Sequence, residues 1–108
     1  MFENWRKKWE AWCLPLPDLA WLQVEVTTVC NARCTYCPRT AAGSAWLNRH
    51  MDPVLFRKAI TELPHIPYVH LQGWGEPLLH PEFFTLVDLA LQSGSQCGAT
   101  TNGRCRIW

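Results

Sequence analysis

The sequence predicts an α/β fold with about three parallel strands, helices on the outside of the sheet and one further helix in front of it. Two observations predict this fold. Strand-like segments alternate with helical segments along the chain, which is typical of a parallel sheet with right-handed crossovers. The 108 residues are also 48% hydrophobic, enough to fill the core of one domain.

The first element is predicted to be an amphipathic helix over residues 2–12, ended by Pro15 and Pro17. With its proline-containing connection it makes a predicted N-terminal region, 1–20, in front of a main region, 21–108. The aromatic residues of this helix recur at spacings of three and four: Phe2, Trp5, Trp9 and Trp12.

Three strands are predicted at 21–28, 68–72 and 97–101 from their alternating or β-branched residues. Between the first two, residues 29–40 are predicted to form a loop and 41–50 an irregular connection.

Two helices are predicted between the strands. The first starts at an N-cap, Asp52, with Pro53 at its first position, and stops at Pro64. The second runs from Pro81 to a C-cap at Gly94. The expected apolar stripe of the first helix is Val54, Leu55, Ala59, Ile60 and Leu63.

Composition excludes several classes of function. A net charge of +1 gives no electrostatic reason to expect a nucleic-acid partner. No apolar run reaches the roughly 18 residues of a membrane span, and the charged N-terminus is not that of a secreted protein. We therefore expect a cytoplasmic protein without a membrane partner. In a reducing compartment, six cysteines indicate metal or redox chemistry rather than disulfides.

Three of the cysteines, Cys30, Cys34 and Cys37, follow the spacing C-x3-C-x2-C directly after the first strand. Thiolates favour iron–sulfur clusters, zinc and Cu(I). A cubane cluster held by three cysteines leaves one iron open to another ligand. The strand ends after 72 and 101 also carry unusual turns, and parallel strands present their carboxyl ends at one edge, where ligands bind. Of the remaining cysteines, Cys97 is expected to pack as a small buried side chain. No role is assigned to Cys13 or Cys105.

Residues 30–39, CNARCTYCPR, resemble the cysteine loop of the radical S-adenosylmethionine (radical SAM) superfamily. The resemblance implies that Cys30, Cys34 and Cys37 bind a [4Fe–4S] cluster whose fourth iron is chelated by S-adenosylmethionine. It implies reductive cleavage of that cofactor to a 5′-deoxyadenosyl radical. Tyr36, before the third cysteine, is then expected against the adenine.

Residues 73–77, GWGEP, resemble the Gly-Gly-Glu-Pro motif of the same family, with Trp74 in place of its first glycine. The resemblance implies that Gly73, Gly75 and Glu76 are cofactor-binding, and that Gly75 and Glu76 contact the methionyl amino group.

Residues 100–103, TTNG, resemble the third strand end of the family. The resemblance implies that Thr101 and Asn102 reach the ribose or carboxylate of the cofactor. No catalytic side chain is predicted. His80 is expected to be a capping or packing residue, and Arg39 to pair with the cofactor carboxylate or with solvent.

The resemblance implies a partial (βα) barrel of the radical SAM type, since the family core has about six βα units. We therefore interpret the chain as the N-terminal part of the core of a radical SAM enzyme. As a partial form, it is expected to lack independent turnover. The resemblance also implies an electron donor such as a flavodoxin or ferredoxin. The motifs are similar to those of SPASM-type peptide maturases and cofactor-biosynthesis members, which suggests a peptide or cofactor precursor as substrate.

A second hypothesis stays open at this point. The loop of Cys30, Cys34 and Cys37 could hold zinc in a structural or interaction module. Structural zinc needs four protein ligands, so His50 or His70 would have to complete the site.

Overall fold

The computed structural model describes residues 4, 5, 7, 8 and 18–104. Within them, three parallel strands form one sheet in the order β1-β2-β3. The elements follow each other along the chain as β1 (Trp21–Val24), α1 (Pro38–Ala42), α2 (Pro53–Glu62), β2 (Tyr68–Leu71), α3 (Phe83–Gln92) and β3 (Gln96–Ala99). Single turns of 3₁₀-helix lie at Gly43–Ala45 and Pro77–Leu79.

The predicted α/β fold with a parallel sheet is confirmed. Leu71 of β2 pairs with Val24 on one side and with Ala99 on the other, in two parallel ladders. The predicted first strand was too long. After Val24 the chain leaves the sheet, and Thr27 instead forms an antiparallel bridge with His50.

The predicted N-terminal helix lies mostly outside the described residues. Its four described positions, Asn4, Trp5, Lys7 and Lys8, are helical. None of the helices in the described part of the chain has the length and apolar character needed to cross a bilayer.

The N-cap of α2 is confirmed, because Asp52 Oδ1 accepts a hydrogen bond from the Val54 N–H at 2.8 Å. The predicted apolar stripe of this helix was wrong in part. Val54 and Leu55 are 74% and 56% exposed, whereas Phe56 and Ile60 are buried. Positions 56 and 60 lie one turn apart on the same face, and the large Phe56 ring decides which face turns to the core.

The segment predicted as a loop over 29–40 contains the start of a helix. Pro38, at the first position of α1, has the backbone φ that a helix start requires and needs no N–H partner there. The predicted irregular connection over 41–50 likewise includes the 3₁₀ turn at Gly43–Ala45.

The core lies on one face of the sheet. Val69 and Leu71 point to this face with no exposed area and pack with side chains of α2 and α3, such as Phe56 and Leu86. The alternate residue of β2, His70, points to the other face and is half-buried. Because all three strands run parallel, their carboxyl ends lie at one edge of the sheet, and the three predicted motifs lie at this edge.

Candidate functional site

The three cysteines of the loop after β1 are free, half-buried thiols. The Cys37 N–H donates to the Cys34 carbonyl at 3.1 Å, which closes a turn between the second and third cysteine. Cys37 is also the N-cap of α1, and its carbonyl accepts the Thr40 N–H at 3.0 Å. The short helix that sequence analysis missed therefore anchors the third thiol.

The sulfur of Cys30 lies among hydrogen-bond donors. The Ala32 N–H donates to Cys30 Sγ at 3.4 Å, and the Asn102 amide Nδ2 donates to it at 3.8 Å. Such donors stabilise a thiolate and a thiolate bound to iron. Three free thiols on one loop, one of them supplied with N–H donors, are a donor set that fits an iron–sulfur cluster.

Tyr36 projects from this loop with 86% of its surface exposed. A hydrogen bond to Cys34, with the negative charge of that thiolate, raises the pKa of the phenol. The exposed ring is free to stack on a planar ligand, as the resemblance implies.

The turn after β2 packs tightly against the chain leading to the cysteines. A side chain at Gly75 would lie 2.7 Å from the carbonyl carbon of Thr27 and 2.8 Å from the Val29 oxygen. The next residue, Glu76, donates its N–H to that same Val29 oxygen at 2.8 Å. Gly75 is therefore required, because two stretches of backbone come close together at this point. This contact holds the turn beside Val29, the residue before Cys30.

Gly73 lies close to a side chain rather than to backbone. A side chain there would collide with the side chain of Glu25, whose carboxylate Oε1 accepts the Trp74 N–H at 2.7 Å. The indole of Trp74 itself is 54% exposed. Sequence analysis missed Glu25. The signal in the sequence was an acidic residue inside the strand predicted at 21–28, on the polar side of its alternation.

Glu76 is 2% exposed, and both of its carboxylate oxygens face the protein. Oε1 accepts the Leu78 N–H at 3.2 Å and the Thr101 hydroxyl at 2.7 Å. Oε2 accepts the Asn102 N–H at 2.7 Å. The carboxylate thus joins the second strand end to the third, and the Thr101 hydroxyl predicted to meet the cofactor is turned to Glu76.

The Asn102 side chain completes the connection to the cysteine loop. Its Oδ1 accepts the Arg104 N–H at 2.9 Å, while its Nδ2 donates to Asn31 Oδ1 at 2.9 Å and to Cys30. These partners fix which end of the amide is the donor. All three strand ends are thereby linked by hydrogen bonds around Cys30.

The histidines considered as zinc ligands make other bonds. His50 Nδ1 is 2.8 Å from the Thr27 hydroxyl, and His70 contacts Tyr68 Oη at 2.9 Å and Thr100 Oγ1 at 2.8 Å. No three His, Cys, Asp or Glu side chains in the described ranges come together as ligands of a single metal ion.

The prediction for His80 holds. This residue is 3% exposed, contacts the Met51 carbonyl at 2.7 Å and accepts the Glu82 N–H at 3.0 Å. It therefore packs at the start of α3.

Comparison with known proteins places these features in a family. Residues 24–106 match the Radical SAM superfamily. The chain is 31% identical over 90 residues to the tungsten-containing aldehyde ferredoxin oxidoreductase cofactor-modifying protein of Pyrococcus furiosus, covering 79% of this chain and 24% of that protein. It is 39% identical over 90 residues to the GTP 3′,8-cyclase of Streptomyces coelicolor, covering 76% of this chain and 26% of the cyclase.

Solved structures agree. The crystal structure of BtrN in complex with AdoMet and 2-DOIA superposes with a TM-score of 0.66 at 26% identity, over 79% of this chain and 36% of BtrN. An open conformation of BtrN superposes with a TM-score of 0.65 at 26% identity, over 80% and 40%. The chain spans about a quarter of the length of the curated relatives it matches. With a family match over residues 24–106 and these shared features, the chain belongs to the radical SAM superfamily.

Proposed function

We propose that this chain binds a [4Fe–4S] cluster through Cys30, Cys34 and Cys37 and S-adenosylmethionine beside it. The observation that carries the proposal is the hydrogen-bonded junction of three strand ends around Cys30, made by Glu76 and Asn102. When bound, the cluster and S-adenosylmethionine supply a 5′-deoxyadenosyl radical, after one-electron reduction, for hydrogen abstraction from a substrate.

The residues of the chain then have distinct tasks. The three thiols hold the cluster, and Ala32 and Asn102 donate hydrogen bonds to one of them. The exposed Tyr36 ring offers a stacking surface for the adenine. Because the Glu76 carboxylate is occupied by protein donors, we propose that backbone groups of the 73–77 turn, rather than this carboxylate, contact the methionyl group.

The substrate we propose is a cofactor precursor rather than a peptide. The two named relatives are a cofactor-modifying protein and a GTP 3′,8-cyclase, both described by small-molecule chemistry. The electron donor we propose is a small redox protein of the flavodoxin or ferredoxin type, since the cleavage needs one electron.

Anaerobic reconstitution of the 108-residue chain with iron and sulfide tests the proposal. We expect a brown protein with about four irons and four sulfides per chain. Cys34→Ala should lose stable cluster assembly, because two thiolates hold a cubane poorly. Cys97→Ala, which removes a thiol outside the loop, is the matched control and should keep full iron content.

Addition of S-adenosylmethionine to the reduced protein should change the electron paramagnetic resonance spectrum of the cluster. A colourless chain with one tightly bound zinc, or a Cys34→Ala variant with full iron content, would contradict the assignment.

A further inference from the structure

A cavity beside the cysteine loop has no part in the function proposed above. It has a volume of about 440 Å³ and is formed where α1 and the following 3₁₀ turn meet the cysteine loop. Its polar lining consists of Arg33, Arg39, Thr40, Ser44 and Asn48. This volume lies in the range of small-molecule sites, and the cavity is open to solvent, since most of its lining residues are exposed.

The charge of this cavity is one-sided. Arg33 and Arg39 both line it, and none of its lining residues is acidic. The ion pair found in the described part of the chain, Lys58–Glu62, lies elsewhere on α2. Two guanidinium groups therefore line one concave surface, and no carboxylate from the described residues lines it with them.

Arg39 also has an unsatisfied donor. Its Nε is buried and has no hydrogen-bond partner among the described residues. Its Nη2 makes one long contact, 3.5 Å, to Asn48 Oδ1. A buried N–H without a partner costs free energy, and in native proteins such a group commonly has a water or an ion as partner.

The neighbouring backbone shapes the cavity around these donors. Gly43 has a φ of +55°, a conformation that favours glycine, and it turns the chain from α1 into the 3₁₀ helix. The indole of Trp46 forms part of the wall and is held by its Nε1–H donating to the Thr28 carbonyl at 2.9 Å. Thr40 and Ser44, which both carry hydroxyl groups, also line the cavity.

We propose that this cavity binds the oxyanion group, phosphoryl or carboxylate, of a small molecule, with Arg39 and Arg33 as its principal contacts. The planar guanidinium presents parallel N–H donors that match two oxygens of such a group. The buried Nε of Arg39 then gains its missing partner. None of the residues that line this cavity is a proposed cluster ligand, so binding can be tested on the metal-free chain.

The test is isothermal titration calorimetry of the reduced, metal-free 108-residue chain at constant ionic strength, with pyrophosphate and citrate as probes. We expect saturable binding of at least one probe. Tighter binding of pyrophosphate assigns a phosphoryl ligand, and tighter binding of citrate assigns a carboxylate ligand. Arg39→Gln should weaken binding at least about tenfold, because it removes charge-assisted hydrogen bonds.

Arg57→Gln is the matched control, since Arg57 lies exposed on α2 and away from the cavity. Arg33→Gln is a second cavity variant at an exposed position, which keeps the test valid if Arg39→Gln fails to fold. The proposal is overturned if neither probe binds the unmodified chain, or if the two cavity variants bind as tightly as Arg57→Gln does.

Discussion

The carboxylate of Glu76 should be a main determinant of stability at the site. We predict that Glu76→Gln lowers the free energy of unfolding by about 2–4 kcal/mol. The carboxylate accepts three hydrogen bonds from Leu78, Thr101 and Asn102 at 3.2, 2.7 and 2.7 Å, and it is 2% exposed.

The magnitude follows from what a glutamine can replace. Its single oxygen can keep the bonds at Oε1, but its NH₂ then faces the Asn102 N–H, donor against donor. One hydrogen bond to a charged group is lost, worth about 1.5–3 kcal/mol, and a shielded N–H is left unpaired at a further cost of about 1 kcal/mol or more. The reversed amide loses the two bonds at Oε1 instead.

Urea denaturation followed by circular dichroism measures the change, with an unchanged slope showing that both proteins unfold in the same way. The matched control is Glu62→Gln, which removes an exposed carboxylate paired with Lys58 at 3.9 Å. An exposed pair of this kind is worth less than about 1 kcal/mol. Equal denaturation midpoints for the Glu76 and Glu62 variants would refute the buried-carboxylate argument.

Three further predictions concern the surroundings of the cysteine loop. Gly75→Ala should reduce both the melting temperature and the iron content after reconstitution, because its Cβ would lie 2.7 Å from the Thr27 carbonyl carbon. Gly103→Asn, at a φ of +72° with open space around it, is the control and should reduce both much less, because asparagine tolerates this conformation better than other side chains do. Asn102→Asp should make the midpoint potential of the reconstituted cluster more negative, because it replaces the hydrogen-bond donor to Cys30 Sγ by a negative charge. A redox titration measures this potential, with Gln92→Glu as the exposed amide-to-acid control. Equal midpoint potentials for the two variants would contradict the prediction. Burial raises the pKa of the Cys97 thiol, because the folded protein favours its neutral form. The thiol therefore contributes fully to folding stability below the pKa of the unfolded thiol, and this contribution is lost as pH rises through the folded pKa. Iodoacetamide labelling from about pH 7 to about pH 10, followed by mass spectrometry, should show that Cys97 needs a higher pH to react than an unfolded thiol does. Equal labelling rates at every pH would contradict the raised pKa.

The position of Cys30 depends on hydrogen bonds from the ends of the other two strands. Glu76 holds Asn102 through its backbone N–H, and Asn102 holds Cys30 and Asn31 through its side chain. The position of the first cysteine therefore depends on β3, which follows it by more than sixty residues. A change at Glu76 is expected to affect cluster retention as well as folding.

The sequence by itself determined the order of the elements and the position of the motifs. Strand alternation, the Asp52–Pro53 helix start and the spacing of the cysteines are local patterns, each encoded within a few neighbouring residues. Local patterns were less reliable at boundaries. They did not show that the first strand stops at Val24, because the pairing of Thr27 with His50 depends on a distant segment.

Only the tertiary structure decided what the motif residues touch. Two of the three partners of Glu76, Thr101 and Asn102, lie 25 and 26 residues away in sequence, and Asn102 lies 72 residues from Cys30. Gly75 is a glycine because of the Thr27 backbone, which no periodicity reveals. The cavity of Arg33 and Arg39 likewise forms only when α1 folds back beside the cysteine loop. Hydrogen bonds and steric limits between distant segments depend on how the chain packs, and packing is a property of the whole fold rather than of any local stretch.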